Sequence, residues 1–191
     1  MILDAQGRLY GTSDGDLGCL YGTVYQLIPA GLTWTENTLH QFQNQEDGAE
    51  PVGGLVMDAD GNLYGMTGNG GSSGCGGVVY ELSPSGGGWT FTPIACPAGP
   101  MAGGSQSAMT FDAAGNLYGT TVYDGAQHCG SVFKMTHNGG TWNYTDLYDF
   151  ACGTDGGNPI GAVAVDANGN VFGTASGGGT NDKGVVWEIT P

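Results

Sequence analysis

Positive charge is the scarcest commodity in this sequence. Across 191 residues there are three basic side chains, Arg8, Lys134 and Lys183, against 18 acidic ones, for a formal net charge of −15. Nucleic-acid binders neutralise phosphates with Lys and Arg and so release counterions, and three scattered cations exclude that role. Attraction to anionic lipid fails for the same reason. No run of about 18 apolar residues is present to cross a membrane as a helix, and no basic segment leads into an apolar one as in a secretory signal. Membrane insertion is therefore not expected. Helical 3.6-residue periodicity is missing throughout, so the chain reads as all-β. There is no nucleophile elbow, no phosphate-binding loop and no zinc-type Cys/His spacing. Neither a cofactor nor a metal is expected. The acidic excess reads as a solubilising surface.

What the chain has is glycine, 39 residues of it. Without a G-X-Y period, a collagen triple helix is excluded. The glycines gather at turns between short apolar runs, which suits a fold of many short strands. Inside that pattern one phrase returns. Residues 58–66, DADGNLYGM, have counterparts at 4–12 (DAQGRLYGT), 112–120 (DAAGNLYGT) and 166–174 (DANGNVFGT). The leading residues Asp4, Asp58, Asp112 and Asp166 stand at a constant spacing of 54. A fixed period of this size marks a repeat architecture. The chain reads as one repeat domain over 1–191, with units of about 1–54, 55–108, 109–162 and 163–191.

Each unit reads as four strands. An apolar run (1–3, 55–57, 109–111, 163–165) precedes the phrase and alternates between two faces. A tight turn follows, with the aspartate capping backbone N–H groups and Gly7, Gly61, Gly115 and Gly169 taking the positive-φ position. The second strand carries a mid-strand glycine (Gly11, Gly65, Gly119, Gly173), predicting close backbone approach, for example between neighbouring sheets or near a central axis. In the third strand an aromatic slot (Tyr25, Tyr80, Phe133, Trp187) points one way. Gln26, Glu81, Lys134 and Glu188 point the other, towards solvent or a less apolar layer. Pro29, Pro84 and Pro191 are expected to end that strand. A fourth strand opens at Trp34, Trp89 or Trp142 and has no counterpart in the last unit. Four short antiparallel strands per repeat describe the blade of a β-propeller. The period exceeds the roughly 40 to 50 residues of other propeller repeats, and long glycine loops account for the surplus. A β-solenoid, with shorter repeats and parallel strands, is the rival. Two explanations fit the last blade's missing strand: the chain is a fragment, or the blade has an open edge that templates strand addition.

The phrase, the Gly/Ser loop with Cys-Gly after it and the following Val-Tyr/Phe-x-Leu strand are fullest over residues 55–84. Together with the Asp-Gly-x-x-Pro loops at 47–51 and 155–159, they resemble the GloVer tandem repeats of bacterial choice-of-anchor surface proteins. That resemblance implies an extracellular, propeller-like, surface-attached module with no assigned chemistry. The chain departs from it in lacking a sorting signal and in its fourth unit, where Val171 and Phe172 replace Leu-Tyr and no cysteine occurs.

Cys75 and Cys129 close the loop before the third strand, whereas Cys96 and Cys152 follow the fourth strand of the same units. This alternation predicts the pairs Cys75–Cys96 and Cys129–Cys152, although spacing leaves connectivity open. Cys19 has no such counterpart and reads as a buried free thiol or an intermolecular bridge. Asp58, Asp60 and Asn62 superficially resemble the start of a calcium loop, but Gln6 and Ala114 stand at the middle position elsewhere, so a turn is the reading. The histidines do not converge, and a glycosidase pair of carboxylates would show only in three dimensions. Trp34, Trp89 and Trp142 are core positions first and sugar-stacking aromatics second.

The resulting expectation is a non-enzymatic extracellular structural or adhesive repeat protein at a bacterial cell surface. Its partner would be itself, through the unpaired strand edge, as the subunit of an assembly or filament. The alternative is a carbohydrate- or surface-binding propeller with surface glycans as partners.

Overall fold

A computed structural model describes residues 1–15, 21–51, 53–97 and 108–191. The described residues form fifteen strands in four antiparallel sheets. The first blade holds β1 (Ile2–Leu3), β2 (Leu9–Ser13), β3 (Thr23–Ala30) and β4 (Thr33–Gln41). The second holds β5 (Val56–Met57), β6 (Leu63–Met66), β7 (Val79–Ser85) and β8 (Gly88–Ala95). In the third are β9 (Thr110–Phe111), β10 (Leu117–Thr121), β11 (Ser131–Asn138) and β12 (Thr141–Asp149). The fourth has three strands, β13 (Ala164–Val165), β14 (Val171–Ala175) and β15 (Val185–Ile189). Strands are joined in sequence order within every sheet, as in propeller blades. Among the described residues Cys19 does not appear, so its predicted state lies outside them.

The blades stack through apolar faces. Tyr10, Val24 and Phe42 of the first blade pack with Leu55, Leu63, Tyr80 and Leu82 of the second. Equivalent clusters join the second blade to the third and the third to the fourth. Among the described residues no such cluster joins the fourth blade to the first. The core thus sits between sheets, and each interior sheet is buried on both faces.

Of the two expectations for the outer residues of the third strand, that arrangement selects the less apolar layer for Gln26 and Lys134. Gln26 does not face solvent; it is buried in the layer towards the next blade and donates through Nε2 to the Tyr10 hydroxyl at 2.8 Å. Lys134 lies over the Tyr118 ring in the equivalent layer, with Nζ 5.2 Å from its centroid. The third strand also continues past its proline. Pro29 pairs with Trp34 inside the β3–β4 ladder, and Pro84 with Trp89 in β7–β8. Both prolines lie one residue short of their strand's end, next to the hairpin, where a missing N–H disrupts the ladder least.

At the mid-strand glycines the expected close approach occurs, but a side chain makes it rather than a backbone. What approaches them is neither a neighbouring sheet nor an axis but the aromatic slot of their own blade. Gly11 pairs with Tyr25, Gly65 with Tyr80, Gly119 with Phe133 and Gly173 with Trp187. The ring lies across the glycine, so that a Cβ at Gly11 would sit 2.5 Å from the Tyr25 hydroxyl and one at Gly119 2.5 Å from Phe133 Cζ. A bulge recurs in each of the first three blades, between Val24/Tyr25, Val79/Tyr80 and Val132/Phe133. The extra residue on the fourth strand is Leu39, Ile94 or Leu147, and each packs against the interblade core. Bulges re-aim side chains in this way.

Cys75 is bonded to Cys96 and Cys129 to Cys152, each with a Cα–Cα separation of 5.4 Å. Both tie the loop before a third strand to the end of the fourth. For sequence separations of 21 and 23, the chain-entropy model gives each about 3 kcal/mol.

Candidate functional site

The recurring phrase forms one hydrogen-bonded unit. Asp112 Oδ1 accepts the backbone N–H groups of Ala114 and Asn116, both at 2.9 Å. Its Oδ2 accepts the Asn116 side-chain amide at 2.7 Å and the Tyr118 hydroxyl at 3.1 Å. Asp58 repeats all four bonds with Asp60, Asn62 and Tyr64. In the first blade Arg8 stands where asparagine stands elsewhere, and its Nε donates to Asp4 Oδ2 at 2.5 Å. In the fourth, Asp166 keeps the bonds to Asn168 and Asn170, while Phe172 offers no hydroxyl. Gly7, Gly61, Gly115 and Gly169 hold φ of 78°, 86°, 81° and 86°, a region that glycine enters without steric cost.

Such a carboxylate has its acceptor sites occupied by protein donors. For Asp60, the N–H rather than the side chain takes part in the turn. No group of three or more metal-ligating side chains is found among the described residues. The geometry is that of a turn.

The electrostatics follow. Burial tends to raise the carboxyls of Asp4 and Asp112, but the hydrogen bonds they accept outweigh it and hold both below the ordinary value. The Asn170 backbone N–H lowers Asp166, and the Ala151 N–H lowers Asp155. Carboxyls depressed in the folded state stabilise it fully above their unfolded pKa, and that stability is lost as pH falls through the folded pKa. Asp124 runs the other way: burial, then the charges of Asp146 and Asp149, raise it against the Gly125 N–H. With four depressed carboxyls against this one, urea midpoints are expected to hold steady at neutral pH. They should fall as pH drops below the ordinary carboxyl value of 3.8.

A second aspartate cap escaped sequence reading. Asp47 accepts the N–H groups of Gln43 and Gln45 and contacts His40 Nε2 at 3.1 Å. Asp155 does the same with Ala151, Gly153 and the Tyr148 hydroxyl. The signal was present, since His40 and Tyr148 both lie seven residues before a loop aspartate. Burial lowers the His40 pKa, against the pull of Asp47, and its ring stacks on Phe91 at 4.0 Å. His137 packs against Trp142 in another blade.

Clefts open between blades where the turns meet the tryptophans. The first, of about 740 Å³, lies between Asp4 and Asp58 with Trp89 and Asn37 on its walls. Its successor, of about 410 Å³, lies between Asp58 and Asp112 with Trp142 and His137. Trp89 meets Tyr10 edge-on at 6.0 Å, and Trp142 meets Tyr64 at 5.6 Å. Each tryptophan therefore belongs in part to the core, packed on the tyrosine of the preceding blade. Trp34 has no such tyrosine and is half exposed. A further cleft of about 330 Å³ runs along β15, lined by Tyr148, Asp155 and residues 185–189.

The family model described as the Gloeobacter/Verrucomicrobia repeat matches residues 1–191. No curated protein matches the chain. Among solved structures, the chain is similar to one reported as that of a proposed gluconolactonase, with 17% identity and a TM-score of 0.53. The match covers 99% of this chain and 62% of that one, so the chain spans about three-fifths of its length. At this identity the likeness carries the fold alone. A protein of unknown function from Dyadobacter fermentans matches at 16% identity and a TM-score of 0.45, over 80% of this chain and 50% of that one.

Proposed function

We propose, for a chain that belongs to the Gloeobacter/Verrucomicrobia repeat family, a non-enzymatic structural or adhesive role outside the cell or at its surface, exercised through self-association. The observation that carries this reading is the fourth sheet. β3, β7 and β11 are each covered by a further strand, whereas β15 ends its sheet with one edge unpaired among the described residues. An uncovered edge is a standing template for association, and a cleft already runs along it. The occupied turn aspartates support the non-enzymatic part, because a carboxylate fixed by four donors is a poor proton carrier at a reacting bond. Two disulfides support a compartment that keeps thiols oxidised. Electron microscopy of the protein over a concentration series tests the reading. Ordered assemblies or filaments are expected, and single particles at every concentration would sink it.

A second reading, glycan binding, is favoured by the repeated clefts that set Trp89 and Trp142 beside carboxylates and amides. Aromatic faces flanked by polar groups suit sugar rings. On a glycan array, binding lost in Trp89→Ala but kept in Trp34→Ala would favour it, whereas an array without signal removes it.

A further inference from the structure

Two of the interblade clefts adjoin. The turn of blade two forms a wall of each, since Met57, Asp58, Ala59 and Asp60 line both the cleft towards blade one and the cleft towards blade three. At about 740 and 410 Å³ they fall within the roughly 300–1,000 Å³ of small-ligand sites. Trp89 stands on the wall of the first and Trp142 on that of the second, each only partly buried by its blade junction. Polar groups accompany the rings. Gln6 and Asn37 are exposed in the first cleft, and Asp60, which joins the turn through its N–H, is exposed on the shared wall.

We propose that these two clefts together bind one uncharged polysaccharide chain, laid across the blade-two turn with a sugar ring in each. The inference rests on the glycan-binding reading above, and adds to it the class of glycan and its hold on both clefts at once. The shared wall carries the second point, because a ligand leaving one cleft over that turn enters the other. Charge carries the first. Three aspartates line each cleft, and Arg8, paired with Asp4, is the one Lys or Arg side chain in either. Against a chain of net charge −15, uronic, sulfated or phosphorylated polymers are repelled. A cationic peptide fits the sign but finds few acceptors. The carboxylates of Asp4, Asp58 and Asp112 each already hold four protein donors. An uncharged chain needs no counter-charge. Rings of the gluco configuration carry their hydroxyls around the rim, so their C–H faces meet an indole while the rim bonds amides and Asp60.

Four equivalent turn alanines separate the clefts. Ala5 lines the first alone, Ala113 the second alone and Ala59 both, whereas Ala167 lines neither. All four are exposed, so an arginine there fills a cleft without disturbing the core. Calorimetric titration of the 191-residue chain uses uncharged hexasaccharides of the cellulose, laminarin and chitin types, and the matching disaccharides. At least one hexasaccharide is expected to bind one per chain, at least about tenfold tighter than its disaccharide, which should bind two per chain. Ala59→Arg should abolish both. Ala5→Arg and Ala113→Arg should each leave one disaccharide site and bring the hexasaccharide down to disaccharide affinity; Ala167→Arg should change nothing. Near-ultraviolet circular dichroism matching wild type verifies that the variants fold. A hexasaccharide no tighter than its disaccharide, or binding untouched by Ala59→Arg, overturns the joint site and leaves the glycan reading standing. Hexagalacturonate or hexalysine bound tighter than every uncharged sugar overturns the ligand class, the latter in favour of a basic peptide. If no sugar binds the wild-type chain, this inference and the glycan reading fall together.

Discussion

Gly65→Ala is expected to cost about 3 kcal/mol of stability, although it adds one methyl group to an extended strand. A Cβ at Gly65 would overlap the phenol ring of Tyr80 and lie 2.9 Å from Leu55 Cδ2. Neither neighbour can yield cheaply. Tyr80 is fully buried, and its ring is held by Phe42 at 5.3 Å and Phe91 at 5.4 Å. Its hydroxyl has no hydrogen-bond partner among the described residues, so the ring is placed by packing alone. Gly61→Ala supplies the comparison. A Cβ at Gly61 meets nothing within 4 Å, and the expected loss there is about 1 kcal/mol, from φ of +86°. Urea unfolding of the two variants should order them with Gly65→Ala well below Gly61→Ala. The reverse order would mean that the turn, not the ring over the strand, governs the blade.

Removing the turn carboxylate should be nearly as damaging. Asp112→Ala is expected to cost about 3 kcal/mol, because four donors lose their acceptor together. The Tyr118 hydroxyl is the costly one, since that residue is buried and water reaches it poorly. Tyr118→Phe, which removes this donor along with the need for it, should cost only about 1 kcal/mol. Asp166→Ala should cost less than Asp112→Ala, because Phe172 has no hydroxyl to strand. Urea midpoints of the three variants check the series. Equal losses for Asp112→Ala and Asp166→Ala would mean that the tyrosine bond contributes nothing.

Period and alternation carried most of the architecture. The repeated Asp-x-x-Gly turn, the flanking apolar runs and the tryptophan strand gave four blades, the fourth short by one strand. The alternating cysteines gave pairs that the structure joins. Burial on both faces was less legible. Gln26 and Lys134 are polar, and polarity alone leaves solvent and a less apolar layer both open; it takes the pairing of the strands to show that Gln26 bonds Tyr10 and that Lys134 covers Tyr118. Likewise, a mid-strand glycine announces that something comes close without saying what. Only the strand register puts Tyr80 opposite Gly65. The bulge at Leu39, Ile94 and Leu147 left no mark beyond an apolar residue at the end of a strand. As for the site, the tryptophans were visible as a recurring position. Their division between core and surface depends on whether a preceding blade is there to receive them.

Hydroxyl-radical footprinting of the 191-residue chain over a concentration series tests the central claim most directly, because it reads the exposed side chains themselves. If the unpaired edge of β15 is the assembly surface, oxidation of Tyr148, which is exposed and lines the cleft along that edge, should slow markedly as concentration rises. Tyr123, exposed and not part of that cleft, should react at a constant rate. A Tyr148 rate that is the same at every concentration would contradict the account.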